Sequence, residues 1–544
     1  MKNKGGGEDV QYENPEALET NRSDTMGKDS SAARIAMGLA LAGMVAILIM
    51  LVFTQPSLAG GDEHRTLRLL LDKGIITQQE YDQAVTEEQR EETREKQEDA
   101  VTKNDLEIKL GGFAEIDFIG DNTRSFEETI GNRPVLRSNT VGGANSVFQT
   151  SARASRITID VRAPERDGIK SRFYGALDFL GNEPSVGSSG VSNLTFQTSP
   201  AARIFQMYFL VESPAVDVKI GQDWSRFGFM SQYSRGQLSV SATPANMFNR
   251  WVQASLSKQL RLTDTLTLTP VFSVERPPQS DGTLPSFVAG VQVAHHGLQA
   301  PYTGSSTGDI SLKPLSLQVS GVGRRLEANS GGPTNPVGGQ PNLSSQAYVP
   351  GWGVSSSLFI PVLPSRDGKI GHTAHIVMEG VTGAGISDMF NGLSWGICNP
   401  VCGTSSSNSG FGGTAFGQTN IDAGLAAVNN QTGKFEAIRT TSMMVHATYY
   451  LPDQGKTWVG GGYGTIYSSN ASDMTCTVSA AFCGGALRTS QSIYVRDSTY
   501  YAYAFHDFTP EIRGALMTNW VRTTYADGFN AENHRIQVTF FYRF

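Results

Sequence analysis

From Leu106 to the C-terminal Phe544, apolar and polar residues alternate with a period of two. The alternation comes in segments about ten residues long, apolar on one face only, with Gly, Ser, Asn and Pro clusters between them. Sixteen segments are predicted as strands: 108–119, 154–163, 170–180, 203–213, 215–224, 250–259, 265–276, 286–295, 312–325, 352–362, 370–381, 437–450, 457–467, 491–507, 510–524 and 533–544. Strands of this length, apolar toward lipid and polar toward a lumen, are the signature of a transmembrane β-barrel. Lipid cannot satisfy an open sheet edge, so the sheet has to close. An even count puts both ends of the barrel on the periplasmic side.

The connections support that reading. Pro164–Ile169, the single residue Pro214, Leu260–Asp264, Leu363–Lys369, Leu451–Lys456 and Phe508–Thr509 are short. They interleave with long connections at 120–153, 181–202, 225–249, 326–351, 382–436 and 468–490. Short periplasmic turns and long outer loops are the asymmetry expected of such barrels. One connection breaks the pattern: 296–311 falls on the short side yet has sixteen residues. The last strand, NHRIQVTFFYRF, alternates through Ile536, Val538, Phe540 and Tyr542 and ends on Phe544. A terminal aromatic on an alternating strand is similar to the assembly signal of bacterial outer-membrane proteins.

Upstream the pattern changes twice. Residues 34–54, RIAMGLALAGMVAILIMLVFT, form the one long apolar run, followed by Ser57-Leu58-Ala59. This is the pattern of a secretory signal cut after Ala59, with an uncleaved inner-membrane anchor as the alternative. Met26 offers a conventional start within the lead, and residues 1–59 are left out of the fold. Residues 64–103 lack Pro, and their one Gly is Gly74. Leu67, Leu70, Leu71, Ile75 and Ile76 make a helical stripe, and Thr77 with Glu80 reads as a capping box. From Thr86 to Asp99 no residue is apolar. The segment 60–105 is therefore expected to be helical, either a charged spacer or a periplasmic stalk that associates in a trimer as a coiled coil or touches the cell wall through 64–104, with coiled-coil positions in its first half alone.

Composition sharpens the picture. The chain is 39 % apolar and 17 % charged, with 59 glycines in 544 residues. Neither a helical membrane protein nor a typical large soluble enzyme has that mix. The net charge of −7 divides unevenly: residues 1–105 carry −8 and residues 106–544 carry +1. In the barrel segment, 24 of the 32 basic residues are Arg. No basic excess points to nucleic acid.

Reading each strand by its apolar face assigns the other face to the lumen. That places Arg156, Asp160, Arg162, Arg172, Tyr174, Asp178, Arg324, Arg513, Arg535, Gln537 and Arg543 inside. Arg496 is also expected inside, with Ile493, Val495 and Tyr501 toward lipid. The third outer loop, 225–249, is expected to fold into the barrel and narrow it, carrying Arg226 and Arg235 with Arg250 at its base. Guanidinium groups bind carboxylates through two hydrogen bonds and stay charged. Arg156, Arg172, Arg226, Arg235, Arg250, Arg324, Arg496 and Arg513 are thus the candidate pore-lining or constriction residues. Set against Asp160, Asp178, Asp217 and Asp223, they would make a transverse field across the pore. The alternative for each is a structural ion pair.

Cys398, Cys402, Cys476 and Cys483 lie in long outer loops of an exported chain, where disulfides are the expectation. Cys398–Cys402 and Cys476–Cys483 are the expected local bridges, with cross-pairing between the loops as an alternative; a four-Cys metal site is the other alternative, but three and six intervening residues are not zinc-ribbon spacings. The pairs His295-His296 and His372/His375 read as lumen or turn residues rather than metal ligands. No serine–histidine–acid set, paired-carboxylate site or cofactor motif can be singled out, so the reading is of a non-enzymatic protein without a cofactor or metal.

Several segments resemble the DcaP-like family of trimeric outer-membrane porins. They are LGGFAEIDFI at 110–119, SRITIDV at 155–161, GALDFLG at 175–181, IGQDWSRFG at 220–228 and SVERPPQSDGTLPSFVAGV at 273–291, with the C-terminal strand and the helical lead. The resemblance implies a sixteen-stranded barrel, a homotrimer, and uptake of small anionic solutes such as dicarboxylates. The expected function is an outer-membrane porin for small, preferentially anionic solutes, in contact with outer-membrane lipid and lipopolysaccharide. Two alternatives stand beside it: a structural protein tethering the membrane to the cell wall, and a barrel sheathing an electron carrier or acting as a hydrolase.

Overall fold

The computed structural model describes residues 106–126, 134–181, 202–228, 249–276, 284–303, 310–328, 347–390, 435–475 and 489–544, with Ala100–Lys103, 425–428 and a few isolated positions. Among these, sixteen strands form one closed antiparallel barrel. They are β1 (Leu106–Asp121), β2 (Val147–Ser151 continued by Arg156–Arg162), β3 (Lys170–Asp178), β4 (Arg203–Glu212), β5 (Asp217–Trp224), β6 (Arg250–Ser257), β7 (Leu266–Glu275) and β8 (Ser286–Thr303). There follow β9 (Ile310–Ala328), β10 (Ala347–Leu363), β11 (Thr373–Ala384), β12 (Arg439–Tyr450), β13 (Thr457–Ser468), β14 (Tyr494–Asp507), β15 (Ile512–Tyr525) and β16 (Asn530–Arg543). Each strand pairs with the next, and β16 closes onto β1 through the register Phe113↔Arg543 to Asp121↔Arg535.

The side chains alternate as the sequence requires. On β10, Tyr348, Trp352 and Val354 are exposed on the outer face, while Ser355, Ser357 and Phe359 are buried inside. Along β9, Leu317 and Val319 face out, and Ser316, Gln318 and Ser320 face in. An apolar outer belt over a polar inner wall is what lipid outside and water inside select. Short turns close the periplasmic end. Asp167-Gly168, Asp367-Gly368 and Gln454-Gly455 take positive φ at both residues, the tight-hairpin conformation that matches strand twist.

The seam between the chain's two ends is built with care. The Phe544 carbonyl accepts from the Gly112 N–H at 2.9 Å, and the Phe544 N–H returns to Gly112 at 3.2 Å. A Cβ at Gly112 would run into the Arg156 carbonyl oxygen, so glycine is required where β1, β2 and the C-terminus meet. Below the end of β16, β1 has a free edge, and Ala100–Lys103 pairs along it from Ala100↔Lys109 to Lys103↔Leu106. The end of the expected helical stalk is therefore strand. An unsatisfied strand edge recruits the adjacent chain more strongly than charged residues favour a helix. The rest of the expected stalk, the apolar run at 34–54 and all four cysteines lie outside the described residues.

The irregular connection also resolves. Strand β8 continues to Thr303 and β9 begins at Ile310, so most of 296–311 belongs to a long hairpin. At the outer end the loops turn inward. Phe126, Ile130 and Val135 of the first loop, Phe227 and Met247 of the third, and Ile386, Met389 and Phe390 after β11 join one buried apolar cluster with the inner faces of the strand ends. Burying such side chains stabilises by about 1.5–3 kcal/mol each, which offsets the cost of ordering loop backbone.

Candidate functional site

The inner wall formed by β2 to β6 carries a dense set of charged side chains. Strand order sets its layout. Arg156 stands opposite Asp178 in register on β2 and β3, and Asp178 stands opposite Arg203 of β4. The Arg203 guanidinium donates to both Asp178 oxygens at 2.9 and 2.7 Å. Nearer the periplasm, Arg172 grips Asp160 in the same two-pronged way at 2.7 and 2.9 Å, and Arg162 adds a third hydrogen bond at 2.9 Å. Lys219 donates to Asp223 at 2.7 Å, and Lys258 to Asp217 at 3.1 Å.

One arrangement stands apart from these pairs. Between Ala176/Gln206 and Leu177/Ile204 the β3–β4 register slips by one residue. This bulge at Phe205 breaks the alternation and turns the ring inward, whereas strict alternation would have sent it out with Phe209. The Arg156 guanidinium carbon lies 3.3 Å from the Phe205 ring centroid, and that of Arg250 lies 3.6 Å from the same centroid. Two guanidinium groups that close to one centroid must occupy opposite faces of the ring. Trp224 packs edge-on against Phe205 at 5.9 Å and also meets Arg250 at 4.9 Å. The quadrupole of the ring offsets the repulsion between the two cations. Stacking engages the guanidinium faces and gathers two positive charges at one point of the wall. Arg156 Nε is itself buried in this arrangement and makes no hydrogen bond there.

The predicted arginines therefore separate into groups. Arg156, Arg172 and Arg250 gather on the β2–β6 wall. Arg226 lies at the root of the third loop, where its N–H donates to Glu275 Oε1 at 3.0 Å and its guanidinium reaches Ser255. Gly228 then donates to Ser320 Oγ at 3.1 Å and accepts from Gln318 at 2.8 Å. The first residues after β5, 225–228, thus run along the inner wall from β5 to β9, and most of the rest of the expected constriction loop lies outside the described residues. Arg235 lies outside the described residues.

Arg324 and Arg513 do face inward, but each is held in a buried pair. Arg324 binds Asp388 at 2.5 and 3.0 Å with its side chain 0 % exposed. Arg513 binds Asp507 at 2.5 and 2.9 Å and lies over Trp458. The first pins a rim segment to the wall, and the second joins the neighbouring strands β14 and β15.

Two expectations need correction. Arg496 faces outward, over the exposed ring of Tyr467, and Tyr501 faces inward. A register shift between Tyr494 and Arg496 inverts the alternation along β14. One extra residue in a strand moves every later side chain to the other face. The acids Asp160, Asp178, Asp217 and Asp223 also do not stand across the pore from the arginines. They sit on the same wall, because adjacent strands bring opposite charges within hydrogen-bond reach at lower cost than a gap of water would.

Sequence reasoning passed over Arg203, Phe205 and Trp224. The run Arg203-Ile204-Phe205-Gln206-Met207 holds the only clue, since its apolar residues fall out of step before and after Phe205. It also passed over a buried network in which His446 bonds Tyr501 at 2.8 Å, Tyr503 at 2.8 Å and Thr448 at 3.0 Å.

No family model matches the sequence, and no curated protein matches it. Solved structures do. The outer membrane channel DcaP of Acinetobacter baumannii superposes with a TM-score of 0.52 at 15 % identity, over 81 % of this chain and 99 % of that one. OmpF of Salmonella typhi, solved with daunomycin, gives 0.41 at 8 % identity over 82 % and 100 % of the two chains. OprB of Pseudomonas putida gives 0.41 at 9 % over 80 % and 94 %. The likeness to the DcaP channel agrees with the resemblance read from the sequence and establishes a shared fold. A closed antiparallel barrel with an apolar outer belt is a bacterial outer-membrane architecture, and the chain belongs in that membrane.

Proposed function

We propose that this chain is an outer-membrane porin that passes small hydrophilic solutes and prefers anions, carboxylates among them. The observation that carries this reading is the Arg156–Phe205–Arg250 stack on the charged wall. Most acids of that wall are already matched to a base at close range. The stacked arginines add positive charge to the wall, and that local potential attracts a passing carboxylate. The wall performs no bond chemistry: it lowers the barrier for anions and raises it for cations. The homotrimer implied by the resemblance is part of the proposal, and the mobility of unheated protein on a gel tests it.

Planar-bilayer recording under a salt gradient tests the selectivity. The expected reversal potential has the sign of anion preference. A clear cation preference refutes it, and an absence of conductance refutes the porin reading as a whole.

A further inference from the structure

We infer that the β8–β9 hairpin is a second constriction, set into the lumen from the periplasmic side, which confines solute to the charged β2–β6 wall. This rests on the porin reading and specifies where the path runs.

The hairpin leaves the barrel wall at a built bend. Its register jumps from His295↔Leu315 to Gln299↔Pro314, so His296, Gly297 and Leu298 have no partner on β9. Pro314 sits at the same level on the other arm, where its missing N–H lets the ladder break at little cost. Both sides of the bend are pinned. The His296 N–H donates to the Thr265 carbonyl at 2.7 Å, and its ring Nε2 lies 3.0 Å from Thr267 Oγ1. From the opposite side, the Ser365 N–H donates to the Gln299 carbonyl at 2.7 Å.

Beyond the bend, the arms run across the lumen rather than down from the rim. Ala300 and Tyr302 form one buried cluster with Phe359 of β10, Val377 of β11 and Met444 of β12. The Tyr302 ring meets Phe359 edge-on at 5.8 Å and His375 at 5.7 Å. Ile310, on the returning arm, packs against the aromatic cluster that includes Tyr450, Trp458 and Phe505. All these partners face inward. Val377 lies four residues above Thr373, the periplasmic end of β11. At about 3.3 Å per residue and a tilt near 40°, the hairpin reaches roughly 10 Å into the barrel.

Exposure shows what remains open. Phe359 is 0 % and His375 2 % exposed on the covered wall. The side chains of Arg172 and Arg203, on the charged wall, are 32 % and 38 % exposed. The outer-loop cluster covers chiefly the β8–β16 side from the other end, through Val288, Val322, Val381, Ile466 and Val521, and reaches Trp251 of β6 at the edge of the charged wall. Filled from both ends on that side, the lumen leaves its water on the other.

The test replaces residues 296–314 with Asn-Gly, so that His295 and Leu315 are joined by a two-residue turn. Folding is checked by heat-modifiable gel mobility, and single channels are then recorded. The proposal expects conductance to at least double and the anion:cation ratio to fall toward unity, because the new cross-section is neutral and aromatic. Unchanged conductance in the folded variant overturns it. Ser311→Glu keeps the hairpin and puts a carboxylate on its exposed position. A shift of the reversal potential toward cations supports a lumenal hairpin, and no shift overturns it. Wild-type protein that does not conduct would refute the underlying porin reading, a result distinct from either variant's.

Discussion

Replacing Arg156 and Arg250 together with alanine removes the two cations that flank Phe205 and leaves the acid–base pairs of the wall in place. The size of the effect follows from Coulomb's law. In a water-filled lumen, a unit charge about 7 Å from a monovalent ion acts with about 0.6 kcal/mol. Screening over a Debye length of about 8 Å at physiological salt reduces this to about 0.25 kcal/mol. Each lost arginine weakens the attraction of an anion by that amount and the repulsion of a cation equally, so it changes their ratio by about 0.5 kcal/mol. The two together change it by about 1 kcal/mol, a drop in anion:cation permeability of about five-fold. In 1 M salt the Debye length is about 3 Å, and each charge retains about 0.06 kcal/mol. The assay is the reversal potential under a KCl gradient, repeated at both ionic strengths. A five-fold loss at low salt that shrinks at high salt is expected. An unchanged ratio at low salt refutes the assignment of these arginines to the path.

Arg496→Gln is the matched control: the side chain faces outward, so selectivity stays at the wild-type value in the same recordings. Asp388→Asn leaves the buried Arg324 guanidinium without its counter-charge and is expected to cost about 3–5 kcal/mol, seen as a lower temperature for loss of folded gel mobility. The first outer loop should come loose only in strong acid. Arg137 donates to both Asp527 oxygens at 3.0 and 2.8 Å, and that bonding holds the Asp527 carboxyl below the usual carboxylate range. A carboxyl depressed in the folded state contributes stability above its unfolded value, and that stability is lost as pH falls through the folded one. Hydrogen exchange around Arg137, corrected for intrinsic rates, should therefore rise only below the range where free carboxylates titrate. Arg137→Ala should abolish that pH dependence.

Much of the barrel is legible in the chain as written, because each strand records its own two environments. Ile157 and Leu177 are outside and Asp178 inside for reasons local to their strands. The rims were less legible. Strand β8 looks finished at His295 because the alternation stops there, yet the backbone pairs on to Thr303. Alternation alone turns Arg324 and Arg513 inward, but it does not reveal their partners Asp388 and Asp507. The first comes from a different loop and is brought in by the packing of Ile386, Met389 and Phe390.

The sequence by itself determined the strand number, the closure, the lipid-facing belt and the Arg-rich character of the lumen. Those depend on residue type at a period of two and on the impossibility of an open edge in lipid. Only the tertiary structure decided which arginines meet water. A single bulge moves Phe205 inward and another sends Arg496 outward, and whether a bulge forms depends on the partner strand as much as on the strand that carries it. The same holds for the shape of the passage. Loops and hairpins enter the lumen because apolar side chains such as Phe227 and Tyr302 find partners far away in the chain, and those partners exist only once the barrel has closed.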